Sequence, residues 1–169
     1  GAVLTNNKQT YKKALHLSQV AKLKKPHIFD YSEVGYNYRM PNINASLGIS
    51  QLKKFLKILN LKRKLHNYYA SFFEMFEDIT LVRENFQTKS NHWLNTIIIN
   101  KKNINHNFQK SFLDYMNKNN IQIRPMWKPL HKLSYLRKLP KMNLSNTNYL
   151  ENRVYNLPSA AEIILNEKK

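Results

Sequence analysis

The chain has 169 residues, enough for one domain with a real core, and its 42% hydrophobic content, with ten tyrosines and eight phenylalanines, excludes a disordered polymer. No apolar run approaches the ~20 residues that span a bilayer, residues 1–5 lack the length and basic flank of a secretory signal, and a chain without cysteine has no disulfide or thiolate chemistry, which suits a cytoplasmic protein. The formal charge of +18 would attract polyanions, but the lysines are spread among asparagines and isoleucines rather than gathered, so nucleic acid is a disfavoured partner.

Residues 1–5 (GAVLT) read as a short apolar strand without a start methionine. A domain seldom begins with a strand already under way, so the chain is expected to have lost its beginning. Asn6 and Asn7 signal a turn or cap. Tyr11, Leu15, Leu17 and residues 20–23 then predict an amphipathic helix that ends before Pro26. The polar connection at 24–31 carries His27 and Asp30. With no cysteine and no H-x-x-x-H pair, His27 reads as a solvated loop histidine, and no metal site is expected.

Residues 33–52, EVGYNYRMPNINASLGISQL, are the stretch most suited to chemistry. Gly35 can take positive φ and let the backbone turn tightly. Two phenols, Tyr36 and Tyr38, alternate with Asn37 and Arg39, and Pro41 suits the first position of a helix. Ile43 and Leu47 follow four apart, with Ala45, Ser46 and Gly48 keeping that surface small. A polar, aromatic-walled loop at a helix N-terminus suits an anion; the same residues also suit an ordinary strand-to-helix connection.

The helical period continues through Phe55, Leu56 and Leu59, then Leu61, Leu65, Tyr68, Tyr69, Phe72, Phe73 and Phe76, either unbroken or broken near Asn60. Lys62, Arg63 and Lys64 read as a solvated face, because few aromatics are interleaved on the charged side. Residues 79–82 and 93–100 predict strands, the second through Thr96, Ile97, Ile98 and Ile99. Phe108, Phe112 and Met116 predict a helix over 106–116, and 121–124 a third strand closed by Pro125. Residues 148–155 suggest a helix, and Ser159 before Ala160, Ala161 and Glu162 makes a capping box for a last one. This β-β-α-β-α order makes a small α/β layer with mostly antiparallel strands.

GYNYRMPNINASLG resembles the stretch G-Y-N-Y-R-M-x-x-x-x-A-A-x-G of the DegT/StrS-type sugar aminotransferases, pyridoxal-phosphate (PLP) enzymes that act on nucleotide sugars. SNHWLN (90–95), RPMWKPLH (124–131) and NLPS (156–159) agree with further stretches of that family in order and distance. RPxW followed by PLH is similar to the branch making 4-amino sugars for bacterial surface glycans, of the legionaminate or bacillosamine-precursor kind. The resemblance implies an α/β fold of fold-type I. Residues 1–52 would be the tail of the large PLP-binding domain with a dimer-crossing loop, and 53–169 the small C-terminal domain with a mostly antiparallel sheet and helices. It also implies that the Schiff-base lysine lies upstream of Gly1, so no lysine here is assigned that role. The family often has His-Asp-Glu before its Gly-Tyr, where Tyr31-Ser32-Glu33 keeps only the acid.

The same resemblance implies that Asn37 reaches across a dimer interface to the PLP phosphate; Arg39, whose guanidinium can reach an anion through two parallel N–H bonds, is the second candidate cofactor-binding residue. From the residues alone, Asn37 could instead cap its own loop and Arg39 could pair with Glu33. Tyr36 and Tyr38 would wall the substrate site or simply pack. Arg124, Trp127 and His131, on a segment stiffened by Pro125 and Pro129, are implied to face the substrate, stacking on a sugar or base and binding a diphosphate. Their plainer alternative is a Trp-anchored loop, and no carboxylate stands near His131 in sequence to make it a general base. The expected whole is the C-terminal portion of a homodimeric PLP enzyme. It would move an amino group from an amino acid such as glutamate to a 4-keto nucleotide sugar. A non-catalytic remnant of a split gene and a basic nucleic-acid-binding domain are the rival readings.

Overall fold

The computed structural model describes every residue except Lys25, His27 and Lys169, and only the backbone of residues 166–168. The expectation for His27 therefore lies outside the described residues. The chain divides into two compact units, Gly1–Lys53 and Lys54–Lys169.

The first unit is built around helix α1 (Lys8–Ser18), whose start is fixed by Asn7: its side-chain oxygen accepts from the backbone N–H of Gln9 and Thr10 at 2.9 and 3.0 Å. The predicted strand at 1–5 does not form; no described segment pairs with it, and a strand needs a partner for its backbone groups. The helix also stops earlier than expected. Val20 and Ala21 take left-handed φ of 57° and 52°, and the Ala21 N–H turns back onto the His16 carbonyl at 3.0 Å. Residues 19–23 then run antiparallel to 30–37 through bridges Gln19↔Asn37 and Lys22↔Tyr31. Ala21 is the single buried hydrophobic side chain of this unit among the described residues.

Gly35 serves this pairing differently from the expectation. No glycine here has positive φ. A Cβ at Gly35 would instead fall 2.3 Å from the Val20 carbonyl carbon and 2.4 Å from the Ala21 nitrogen, so two backbones meet where only glycine fits. Helix α2 (Asn42–Phe73) follows Pro41 and is unbroken at Asn60, since neither proline nor glycine interrupts its ladder there. The boundary between the units falls within it. Gly48 meets nothing within 4 Å, and Ile43 and Leu47 are exposed, among the described residues.

The second unit is a four-stranded antiparallel sheet of order β1-β2-β4-β3: β1 (Ile79–Leu81), β2 (Asn95–Ile99), β3 (Arg124–Pro125) and β4 (Val154–Leu157). Alternation along β2 buries Asn95, Ile97 and Ile99. With Leu81, Ile123, Tyr155 and Leu157 these isoleucines form the core, against which Tyr69 and Phe73 of α2 pack. Phe108, Phe112 and Met116 of α3 (His106–Lys118) cover it too, Phe112 meeting Tyr155 edge-on at 4.9 Å. Asn105 caps α3 by accepting from the Phe108 N–H at 3.0 Å.

Three expectations need correction here. The helix expected at 148–155 is α4 (Ser145–Leu150), and it gives way to β4, a fourth strand that the order β-β-α-β-α omitted. Val154, Tyr155 and Leu157 are buried, and pairing with β2 on one side and β3 on the other outweighs local helical spacing. The third strand lies at Arg124–Pro125 rather than 121–124. Ser159 caps no helix: its hydroxyl donates to the Leu157 carbonyl, and the terminal turns at Ala161–Lys168 are 3₁₀.

Candidate functional site

The GYNYRM segment is fastened to the end of α1. The Tyr36 N–H donates to the Leu17 carbonyl at 2.7 Å, those of Tyr38 and Arg39 donate to Ser18 at 3.0 and 3.1 Å, and Val20 donates back to Tyr36 at 3.1 Å. Extended backbone sends alternate side chains to opposite faces. The four candidates therefore divide. Tyr36 and Tyr38 stack at 5.4 Å and line a concavity of about 700 Å³ with Ala2, Thr5, Tyr11 and Leu15. Asn37 and Arg39 line another, of about 680 Å³, with Gln19, Lys22, Lys24 and Pro26.

The second concavity has a one-signed lining. Three cations (Lys22, Lys24 and Arg39) and the Asn37 amide face it, and no carboxylate is among its lining residues. Glu33, the expected partner of Arg39, pairs instead with Lys13 at 2.6 Å. That correction has a simple cause: α1 carries Lys13 past residue 33, while Arg39 lies beyond the bridge at Asn37, on the groove side. Among the described residues nothing hydrogen-bonds to the Asn37 side chain, so it does not cap its own loop and its NH₂ is available to an acceptor. Lys22 and Lys24 escaped sequence reasoning because nothing marks them among 28 basic residues; only the bridges bring them beside Asn37.

In the second unit the candidates separate further. Arg124, paired in register with Asn156, lines a concavity of about 310 Å³ with Lys62, Trp93, Gln122 and Ser159. His131 sits in a 3₁₀ turn (Leu130–Lys132) and lines a different one, of about 430 Å³, with Leu136, Leu139 and Met142. Trp127 is 86% exposed and lines neither. Lys62, expected on a solvated face, instead lines the Arg124 groove half-buried, because the fold brings the carbonyls of His92, Trp93 and Ser159 to its ammonium; His92, in the SNHWLN stretch, has no role assigned from the sequence. Burial pushes the Lys62 ammonium below its ordinary value against the raising influence of Glu162, and burial with the neighbouring His66 pushes His92 down likewise. Tyr69 and Tyr155 are pushed up by burial.

Among the described residues, no group of acids and histidines could hold a metal ion, and no helix is long and apolar enough to cross a membrane. A PLP phosphate fits the donor set of the Asn37 groove, which offers cations and an amide to a dianion.

Solved structures that superpose on the chain include sugar aminotransferases and an Escherichia coli GDP-4-keto-6-deoxy-D-mannose-3-dehydratase with bound hydrated PLP. Helicobacter pylori PseC, an aminotransferase involved in the biosynthesis of pseudoaminic acid, aligns with TM-score 0.75 at 22% identity over 93% of this chain and 42% of its own. The PLP form of the putative sugar aminotransferase Spr1654 from Streptococcus pneumoniae aligns with TM-score 0.74 at 19% identity, over 99% of this chain and 44% of its own. The fold is the α/β fold of the PLP-dependent aminotransferases over part of their length, with an antiparallel small sheet. The DegT/DnrJ/EryC1/StrS aminotransferase family matches residues 1–168, and the chain belongs to it.

Relatives include the GDP-perosamine synthase of Vibrio cholerae, 31% identical over 75% of this chain and 34% of its own length. The UDP-4-amino-4,6-dideoxy-N-acetyl-beta-L-altrosamine transaminase of Campylobacter jejuni (strain 81-176) is 26% identical over all of this chain and 45% of its own length. The putative PLP-dependent aminotransferase EpsN of Bacillus subtilis is 29% identical over 78% and 32%. The chain thus spans a third to just under half of the curated relatives it matches.

Proposed function

We propose that this chain is the C-terminal portion of a PLP-dependent aminotransferase that transfers an amino group from an amino acid, glutamate by preference, to a 4-keto nucleotide sugar of bacterial surface-polysaccharide synthesis. The observation that carries the reading is the Asn37–Arg39 groove: an exposed amide with no side-chain hydrogen bond among the described residues, and three cations, on a backbone tied to α1, in a member of the DegT/DnrJ/EryC1/StrS aminotransferase family. When bound, PLP supplies the electron sink for moving the amino group. This chain's part is binding and orientation. Asn37 and Arg39 would grip the phosphate of a cofactor held by the neighbouring subunit of a cytoplasmic homodimer. Tyr36 and Tyr38 would wall the substrate side, Arg124 would hold an anionic group of the nucleotide, and Trp127 and His131 would approach the sugar. Residues 1–52 would close the cofactor domain and 53–169 would form the small domain.

The test is cofactor retention in the full-length protein that carries this chain. Asn37→Ala should weaken PLP binding by one or two hydrogen bonds, ~1–3 kcal/mol, read from absorbance of the bound cofactor during dialysis. Arg39→Ala should add a charge-assisted loss of similar size. Unchanged retention in both variants would remove the assignment, and no retention in the parent would favour the non-catalytic remnant.

A further inference from the structure

Away from the cofactor and substrate assignments, the described residues bury one pair of titratable rings. His66 on α2 and His92 in the loop at 90–93 are each 8% exposed and stack with centroids 4.0 Å apart and planes 24° apart. His92 has a left-handed φ of 46°, uncommon for a side-chain-bearing residue. Its N–H donates to Ser90 Oγ at 2.9 Å, and the Trp93 N–H donates to Asn91 Oδ1 at 3.0 Å.

His66 also ends a directed chain of hydrogen bonds. Ser159 Oγ gives its own proton to the Leu157 carbonyl at 2.8 Å and accepts from Asn95 N at 2.8 Å and Asn95 Nδ2 at 3.3 Å. The Asn95 amide is thereby oriented with its oxygen toward His66, whose Nδ1 is the donor at 2.9 Å. An uncharged His66 then has no proton on Nε2. One turn earlier, Lys62 donates to three carbonyls, those of His92 at 3.3 Å, Trp93 at 3.2 Å and Ser159 at 2.7 Å.

We infer that Lys62 and His66 are positioning residues for the Arg124 groove, and that the His66–His92 stack makes their hold proton-sensitive. Trp93 and Ser159, whose carbonyls Lys62 grips, line that groove with Arg124. With both rings uncharged, two flat aromatic faces meet. A proton on His92 places a cation beside His66, Lys62 and Arg63, all on α2, and Glu84 of the preceding connection is its one acidic neighbour among the described residues; Glu162 faces Lys62. Acid therefore unseats the loop from α2 and shifts the groove wall. The bearing on substrate rests on the Arg124 assignment proposed above. The clasp itself does not, because Trp93 reports it directly.

The test uses the full-length protein that carries this chain, with Trp127 and any tryptophan outside these residues replaced by phenylalanine so that Trp93 is the single indole. As pH is lowered from about 8 to about 5, Trp93 emission should shift in one titration with its midpoint below 6.5, while far-UV dichroism holds. Adding His92→Phe keeps a flat ring without the proton and should abolish the titration. Lys62→Met should give the acid-form emission already at the upper pH. Flat emission across the range, or an unchanged titration in His92→Phe, overturns the inference. Should that variant fail to fold, ¹³C ring shifts of the unsubstituted chain decide: His92 protonating at or above 6.5 overturns it equally. A normal Trp93 titration with nucleotide-sugar binding untouched by Arg124→Ala would sink the Arg124 assignment and leave the clasp standing.

Discussion

Replacing Gly35 with alanine tests whether close backbone approach is what holds the GYNYRM segment in place. The added Cβ would lie 2.3 Å from Val20 C, 2.4 Å from Ala21 N and 2.7 Å from Val20 Cα, all backbone atoms with no rotamer to relieve them. Relief requires residues 35–37 to move away from 20–21. That movement lengthens the Val20 N–H to Tyr36 bond, now 3.1 Å, and the Tyr36 N–H to Leu17 bond, now 2.7 Å. Two weakened hydrogen bonds at about 1 kcal/mol each, against a gain of ~0.4–1 kcal/mol from a stiffer unfolded chain, leave a local loss of ~1–2 kcal/mol. Amide hydrogen exchange reads that loss residue by residue. The Val20, Tyr36 and Tyr38 amides should exchange about five- to thirtyfold faster, while Ile97 and Ile99 in the other unit keep their protection. Exchange at Val20 and Tyr36 unchanged by the alanine would refute the steric argument.

Other outcomes follow from the same structure. Asn7→Ala removes the acceptor for two orphan N–H groups of α1 and should cost about 1 kcal/mol, visible as fraying of residues 8–10 by exchange. Ile97→Ala empties a site 2% exposed on the central strand β2 and should lower stability by ~2–5 kcal/mol in urea titration; a loss below ~1 kcal/mol would mean that the site collapses or is not core. His92 is held below 6.5 when folded, so between its folded value and 6.5 the unfolded chain binds more protons. Stability from this group should be full above 6.5, fall as pH drops through that window, and then level off, and His92→Phe should flatten the curve. The cofactor-retention series at Asn37 and Arg39 completes the set.

Sequence periodicity alone determined much of the second unit. Ile97 and Ile99, Phe108 and Phe112 repeat at the spacings of a strand and a helix, and burying those faces together is the principal driving force. The motif GYNYRM, too, could be singled out from residue types. Tertiary structure alone decided how that motif is used. Whether Tyr36 and Asn37 face one cavity or two depends on bridges to Gln19 and Lys22, and the acid that Glu33 offers goes to whichever cation the fold brings near, Lys13 rather than Arg39. Strand β4 escaped because its pairing partners, Asn95 to Ile98 and Arg124, lie some 30 to 60 residues away. Such pairings are recorded in no local window, and they also place Ser159 against Asn95 and so assemble the histidine clasp.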